Sequence, residues 1–119
     1  QEGLVATGSY DERLRFWDLH SLAAPVLTRE LPTGGGVWRV KWHPARPGAL
    51  LLANMHAGFC TVSAEPPEQA EVVEVYAGHE SLGYGADWWY GGAPGERRDV
   101  VATCSFYDNM LHVWEPTAV

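Results

Sequence analysis

The chain has 119 residues, 46% of them hydrophobic, which is enough for one ordinary domain. Its net charge of −7 would repel a phosphate backbone, and no basic stripe offsets this, so nucleic acid is excluded as a partner. Cys60 and Cys104 fall in apolar, strand-like runs. They read as buried free thiols without a disulfide framework, which points to a reducing compartment such as the cytoplasm.

In chain order, short runs of alternating polarity separated by turn residues predict an all-β protein. Leu4–Gly8 and Arg13–Asp18 are the first two strands, joined by the turn Tyr10-Asp11-Glu12. A third strand covers 26–31 and ends before Gly34-Gly35-Gly36. The next unit opens with a strand over 37–42, stopped by His43-Pro44 because proline lacks the ladder N–H. Strands over 50–54, Phe59–Ser63 and Glu71–Tyr76 follow. After Gly78-His79 come strands over 84–89 and 100–105, then Leu111–Trp114. Residues 65–68 and 91–98 are exposed loops by composition. Residues 19–24 come nearest to a helical period and are too short to stand alone. No apolar run approaches a membrane span, and the opening residues carry no signal-peptide pattern.

The chain repeats itself. Val5-Ala-Thr-Gly-Ser-Tyr-Asp-Glu-Arg-Leu-Arg-Phe-Trp17 returns as Val101-Ala-Thr-Cys-Ser-Phe-Tyr-Asp-Asn-Met-Leu-His-Val-Trp114. Half of that offset, about 48 residues, is close to the roughly 40–45 of one propeller blade. A divergent copy is therefore expected midway, and Leu50-Leu51-Leu52-Ala53-Asn54-Met55-His56-Ala57-Gly58-Phe59 stands there.

Trp17-Asp18, Gly78-His79, Asp108 and Trp114 resemble the WD-repeat family. The fold expected is a WD-repeat β-propeller fragment of about two and a half four-stranded blades: a partial blade over 1–33, a blade over 34–78 and a partial blade over 79–119. The chain starts at Gln1 inside a strand-like segment, as a piece of a larger ring would. Alone, such a piece would expose unpaired strand edges. The resemblance also implies a structural network of His79, Thr103 or Ser105, Asp108 and Trp114, since a buried imidazole and indole each need partners. Thr7, Ser9, Asp11 and Trp17 repeat the pattern, and the middle blade lacks both its Asp and its Trp. A catalytic His79–Asp108 pair is the competing reading.

A more specific resemblance lies outside the repeat. Gly35-Gly36-Val37-Trp38-Arg39-Val40-Lys41-Trp42-His43-Pro44, Met55-His56-Ala57-Gly58-Phe59, Tyr84-Gly85-Ala86-Asp87-Trp88 and Ala102-Thr103-Cys104-Ser105-Phe106-Tyr107-Asp108 resemble the C-terminal part of the diphthine methyltransferase homologues, also described as diphthine methyl esterases. The resemblance implies a carboxylic ester hydrolase of diphthamide biosynthesis. It would demethylate methylated diphthine on elongation factor 2, its protein partner, giving diphthine and methanol. No cofactor is expected, since no glycine-rich strand-to-helix turn is present.

Ester hydrolysis needs an activated water or nucleophile and donors for the developing oxyanion. The turns and loops around Tyr10, 34–36, His56, 79–83 and Tyr107 are expected on one rim of the ring. His56 occupies the turn that lost its Asp, and is either the general base or a plain surface histidine. Backbone N–H groups at Gly34, Gly35 and Gly36 form either an anion-binding nest or only a tight loop. Ser81 is a poor nucleophile, because 78–83 misses the hydrolase elbow pattern and precedes a strand. Cys60 and Cys104 are expected to be inert. The histidines lack metal-ligand spacing, and His43 and His112 read as packing or surface positions. Arg39 or Lys41 either meets an anionic part of the substrate or lines a wet channel. The alternative to an enzyme is a non-catalytic protein-interaction scaffold, the commonest role of such propellers.

Overall fold

A computed structural model describes residues 2–91 and 98–119. Its strands are β1 (Leu4–Gly8), β2 (Arg13–Asp18), β3 (Val26–Pro32), β4 (Arg39–Trp42), β5 (Ala49–Ala53), β6 (Phe59–Ser63), β7 (Glu71–Tyr76), β8 (Gly83–Trp88), β9 (Val101–Ser105) and β10 (Leu111–Trp114), with a short 3-10 turn at Pro67–Gln69. They form three antiparallel sheets, ordered β1-β2-β3, β4-β5-β6-β7 and β10-β9-β8. The element order follows the alternation in the sequence. Where boundaries differ, the shift is one or two residues: Trp38 stands outside β4 because its amide bonds the carbonyl of Ala53 ahead of the regular ladder. Residues 19–24 form turns and not a helix. The loop expected over 91–98 falls, for 92–97, outside the described residues.

The middle sheet is packed on both faces. Every residue of β5 is buried. Leu50 and Leu52 join Leu14, Phe16, Leu31 and Val62 in one core, between the first and middle sheets. Leu51 and Ala53 point the other way and join Phe59, Ala86, Trp88 and Val101 in a second core, between the middle and third sheets. Successive side chains on a strand face opposite sides, so a continuous apolar run serves two interfaces at once. Successive antiparallel sheets packed face to face make the architecture of a partial β-propeller.

Register explains the repeat. Trp17 pairs with Val5, Val62 with Leu50, and Trp114 with Val101. These are equivalent places, and in the middle sheet valine stands where the others have tryptophan. Leu52 and Val62 are both fully buried there. Apolar burial in one core thus stands where the other two sheets have an indole hydrogen bond.

Cys60 is buried, and burial pushes its thiol up to about 11 against the opposing pull of the Asn54 amide. Cys104 contradicts its expectation: it is exposed. The alternation of β9 buries Val101, Thr103 and Ser105, which turns Cys104 to the open face beside Gly85.

Candidate functional site

The third sheet holds a directed chain of hydrogen bonds. Trp114 Nε1 donates to Thr103 Oγ1 at 3.1 Å. Thr103 Oγ1 lies 2.9 Å from His79 Nε2, and His79 Nδ1 lies 3.1 Å from Asp108 Oδ2. With Nδ1–H donated to the carboxylate, Nε2 accepts the threonine proton and every polar atom is matched. The His79 side chain is 1% exposed and its ring stacks on His112 at 3.7 Å. Both ring nitrogens are occupied and water is excluded, so this histidine has no lone pair to offer a substrate. The Ser105 hydroxyl beside Asp108, then the Met110 amide, the His79 ring and the Glu80 amide, outweigh burial and hold that carboxyl well below the usual carboxylate range. Ser105 Oγ itself meets no strict hydrogen-bond geometry.

In the first sheet Trp17 Nε1 donates to Thr7 Oγ1 at 2.9 Å, which repeats the outer half of that chain. Asp11 there is engaged by Arg15, whose guanidinium also meets Glu30 Oε1 at 2.9 Å. The Arg15 hydrogen bond is the largest influence lowering the Asp11 carboxyl.

The rim expected to carry chemistry is drawn together by backbone contacts. Val37 N donates to Ser9 O at 2.9 Å, and Phe106 N to Leu82 O at 3.1 Å. Met55 and Gly83 form an antiparallel bridge. Tyr107 N meets Ser81 Oγ at 3.2 Å, so Ser81 is engaged with its own rim. Gly35 is pressed against the β5–β6 turn: a Cβ there would stand 2.0 Å from Asn54 O. A Cβ on Gly36 would stand 2.5 Å from Met55 Sδ. Gly35 is required by close approach to a backbone oxygen and Gly34 by its φ of +84°, whereas at Gly36 the flexible Met55 side chain could yield.

His56 tops the β5–β6 turn and is exposed. Among the described residues it is the one histidine with no hydrogen bond, ion pair or ring contact. His20 meets Asp18, His43 meets Asp99, His79 meets Asp108, and His112 Nδ1 lies 2.7 Å from the Tyr76 hydroxyl. The His56 imidazole is open to solvent with both ring nitrogens free of protein partners. Arg39 is exposed and Lys41 half-buried on β4, with the Lys41 carbonyl accepting from Trp88 Nε1 at 2.9 Å.

The sequence reading missed one cluster. His43 Nε2 lies 2.8 Å from Asp99 Oδ1, and Arg46 meets the other Asp99 oxygen at 2.7 Å. His43, Arg46 and Asp99 line a cavity of about 550 Å³ with Trp88 and Tyr90. His43 Nδ1 accepts the amides of Ala45 and Arg46 at 3.0 and 2.9 Å, so Nε2 carries the proton and the ring is locked. It closes a turn and is no free base. Nothing in the local sequence points to Asp99 as its partner, because contacts at long separation leave no spacing signal. Among the described residues no three His, Cys, Asp or Glu side chains gather as metal ligands, and no helix is long and apolar enough to cross a membrane.

Comparison with known proteins gives the site its context. No family model matches the chain. It is 40% identical over 121 residues to a diphthine methyltransferase homolog of Dictyostelium discoideum, covering 97% of this chain and 32% of that protein. It is 42% identical over 92 residues to the diphthine methyltransferase of Homo sapiens, covering 74% of this chain and 20% of that protein. The diphthine methyltransferase of Saccharomyces cerevisiae is 31% identical over 130 residues, covering 92% and 32% respectively. Similarity to five such proteins along most of its residues shows that the chain belongs to the diphthine methyltransferase family, of whose members matched here it spans a third of the length or less.

Proposed function

We propose that the whole protein hydrolyses the methyl ester of methylated diphthine on elongation factor 2. Water adds to the ester carbonyl, the bond to the methoxy group breaks, and the products are diphthine carboxylate, methanol and a proton. The observation that carries this reading is the 40% identity to a diphthine methyltransferase homolog over 97% of the chain. Hydrolysis fits a base-and-water chemistry: His56 is exposed and unengaged on a rim that also carries the loop at Gly35 and Gly36. In this reading His56 takes the proton from the attacking water, and backbone amides of that loop face the oxyanion. A cytoplasmic location suits a protein substrate of the translation machinery.

The scaffold reading keeps one observation in its favour. The buried His79–Asp108 pair has the composition of a catalytic dyad but is closed to water, as in a purely structural blade. Methanol release separates the two. The full-length protein incubated with elongation factor 2 bearing the methyl ester should release methanol in proportion to ester lost. Tight binding without methanol above the no-enzyme rate would leave the scaffold reading standing alone.

A further inference from the structure

Four aromatic rings form an open, angled cluster on the same rim. Trp38 and Tyr84 have ring centroids 5.1 Å apart, with planes at 55°. Tyr84 and Phe106 are 5.7 Å apart at 85°, and Phe106 and Tyr107 are 4.6 Å apart at 79°. Trp38 is 57% exposed, Phe106 62% and Tyr107 71%. Large rings left in water do nothing for either core, and none of the four belongs to the two buried clusters. They come from three loops or strands far apart in the chain, and each lies in one of the stretches that carry the family resemblance. None of the three pairs is a parallel stack: Tyr84–Phe106 and Phe106–Tyr107 meet edge to face and Trp38–Tyr84 is tilted.

We propose that Trp38, Tyr84, Phe106 and Tyr107 form a subsite for a quaternary ammonium group, the trimethylammonium that diphthine carries beside its carboxyl carbon. This rests on the hydrolase reading above for the identity of the ligand. The chemistry is selective. A trimethylammonium has no N–H, so a carboxylate cannot hydrogen-bond it, whereas the negative faces of several rings attract it and its methyl groups pack against them. The net charge of −7 also suits a cationic ligand better than an anionic one. Because ammonium and ester sit on the same carbon, holding one positions the other. The Met55–Gly83 bridge places the turn carrying His56 directly beside the start of β8, which carries Tyr84. The rings would thus be positioning residues for the scissile ester.

The test is calorimetric titration of the full-length protein with two probes of equal shape. One is glycine betaine methyl ester, and the other is its neutral isostere methyl 3,3-dimethylbutanoate. The charged probe should bind about tenfold more tightly or better. Trp38→Ala should erase the difference, Trp38→Phe should keep part of it, and neither should move the thermal midpoint. Equal behaviour of the two probes with the unaltered protein, or an undiminished preference in Trp38→Ala, would overturn the subsite. Turnover on esterified elongation factor 2 keeps the two proposals apart. Trp38→Ala should raise KM and also lower kcat severalfold, because the ester is held less well in register. An unchanged KM sinks the subsite and spares the hydrolase. A retained preference for the cation without any methanol sinks the hydrolase and spares the subsite.

Discussion

Met55 and Gly83 exchange both backbone hydrogen bonds, at 3.0 and 2.8 Å, and so lock the turn carrying His56 onto the strand that begins the third sheet. A Cβ on Gly83 would stand 2.8 Å from the Phe59 ring and 2.9 Å from Gly58 O. The bridge therefore depends on glycine at that position, and the rim is a constructed surface.

The same logic applies at Gly35, where a Cβ would lie 2.0 Å from a backbone oxygen that cannot rotate away. Gly35→Ala should destabilise the protein by about 1–3 kcal/mol, the usual cost of forced overpacking. Denaturant titration of the full-length protein checks this, and a midpoint equal to that of the unaltered protein would mean the loop yields without cost.

His79 should act as a structural residue. His79→Ala removes two hydrogen bonds made by a side chain that is 1% exposed, at a cost of about 1–3 kcal/mol in all. Turnover per folded molecule should persist at low temperature, where the variant is still native. A loss of kcat of a hundredfold or more with native circular dichroism would make His79 catalytic after all.

The depressed Asp108 carboxyl has a signed consequence. A group whose folded value lies below its unfolded one stabilises fully above the ordinary carboxylate value, about 3.9, and loses that contribution as pH falls through and below it. Stability measured from pH 6 down to pH 2 should therefore decline, and Asp108→Asn should flatten the decline. An equally steep acid limb in that variant would assign the effect to other carboxylates, Asp11 and Asp18 being the first to examine.

Leu51 faces the second core from a strand buried on both sides. Leu51→Ala should cost about 2–5 kcal/mol, and thermal unfolding should show a large drop in midpoint. A drop no larger than that of an exposed position such as Leu22→Ala would mean that the middle and third sheets are not packed together in solution.

The strands were legible because each alternates or runs apolar between turn residues. β5 was legible for the opposite reason, as an unbroken Leu-Leu-Leu run that feeds two cores. The partners of His79 were implied by the family resemblance, as Thr103 or Ser105 with Asp108 and Trp114, and the repeat only echoed them as Thr7, Asp11 and Trp17. The side of the strand on which Cys104 falls was not legible, because the buried face of β9 carries the hydroxyl residues Thr103 and Ser105 while Ala102 and Cys104 lie on the other, so polarity does not mark the inside. The pairing of His43 with Asp99, and of Trp38 with Tyr84, was illegible for want of any periodic relation between residues on different sheets. His56 was visible only as a departure from the repeat, and its lack of a partner required coordinates.

The most direct measurement is methanol released from methyl-esterified elongation factor 2 by the full-length protein and by its His56→Ala variant, side by side. Release that matches ester loss is expected for the unaltered protein. In the variant kcat should fall by about 10²–10⁴, the usual worth of a general base, with little change in KM. Methanol at the background rate from the unaltered protein, with binding intact, would contradict the hydrolase reading.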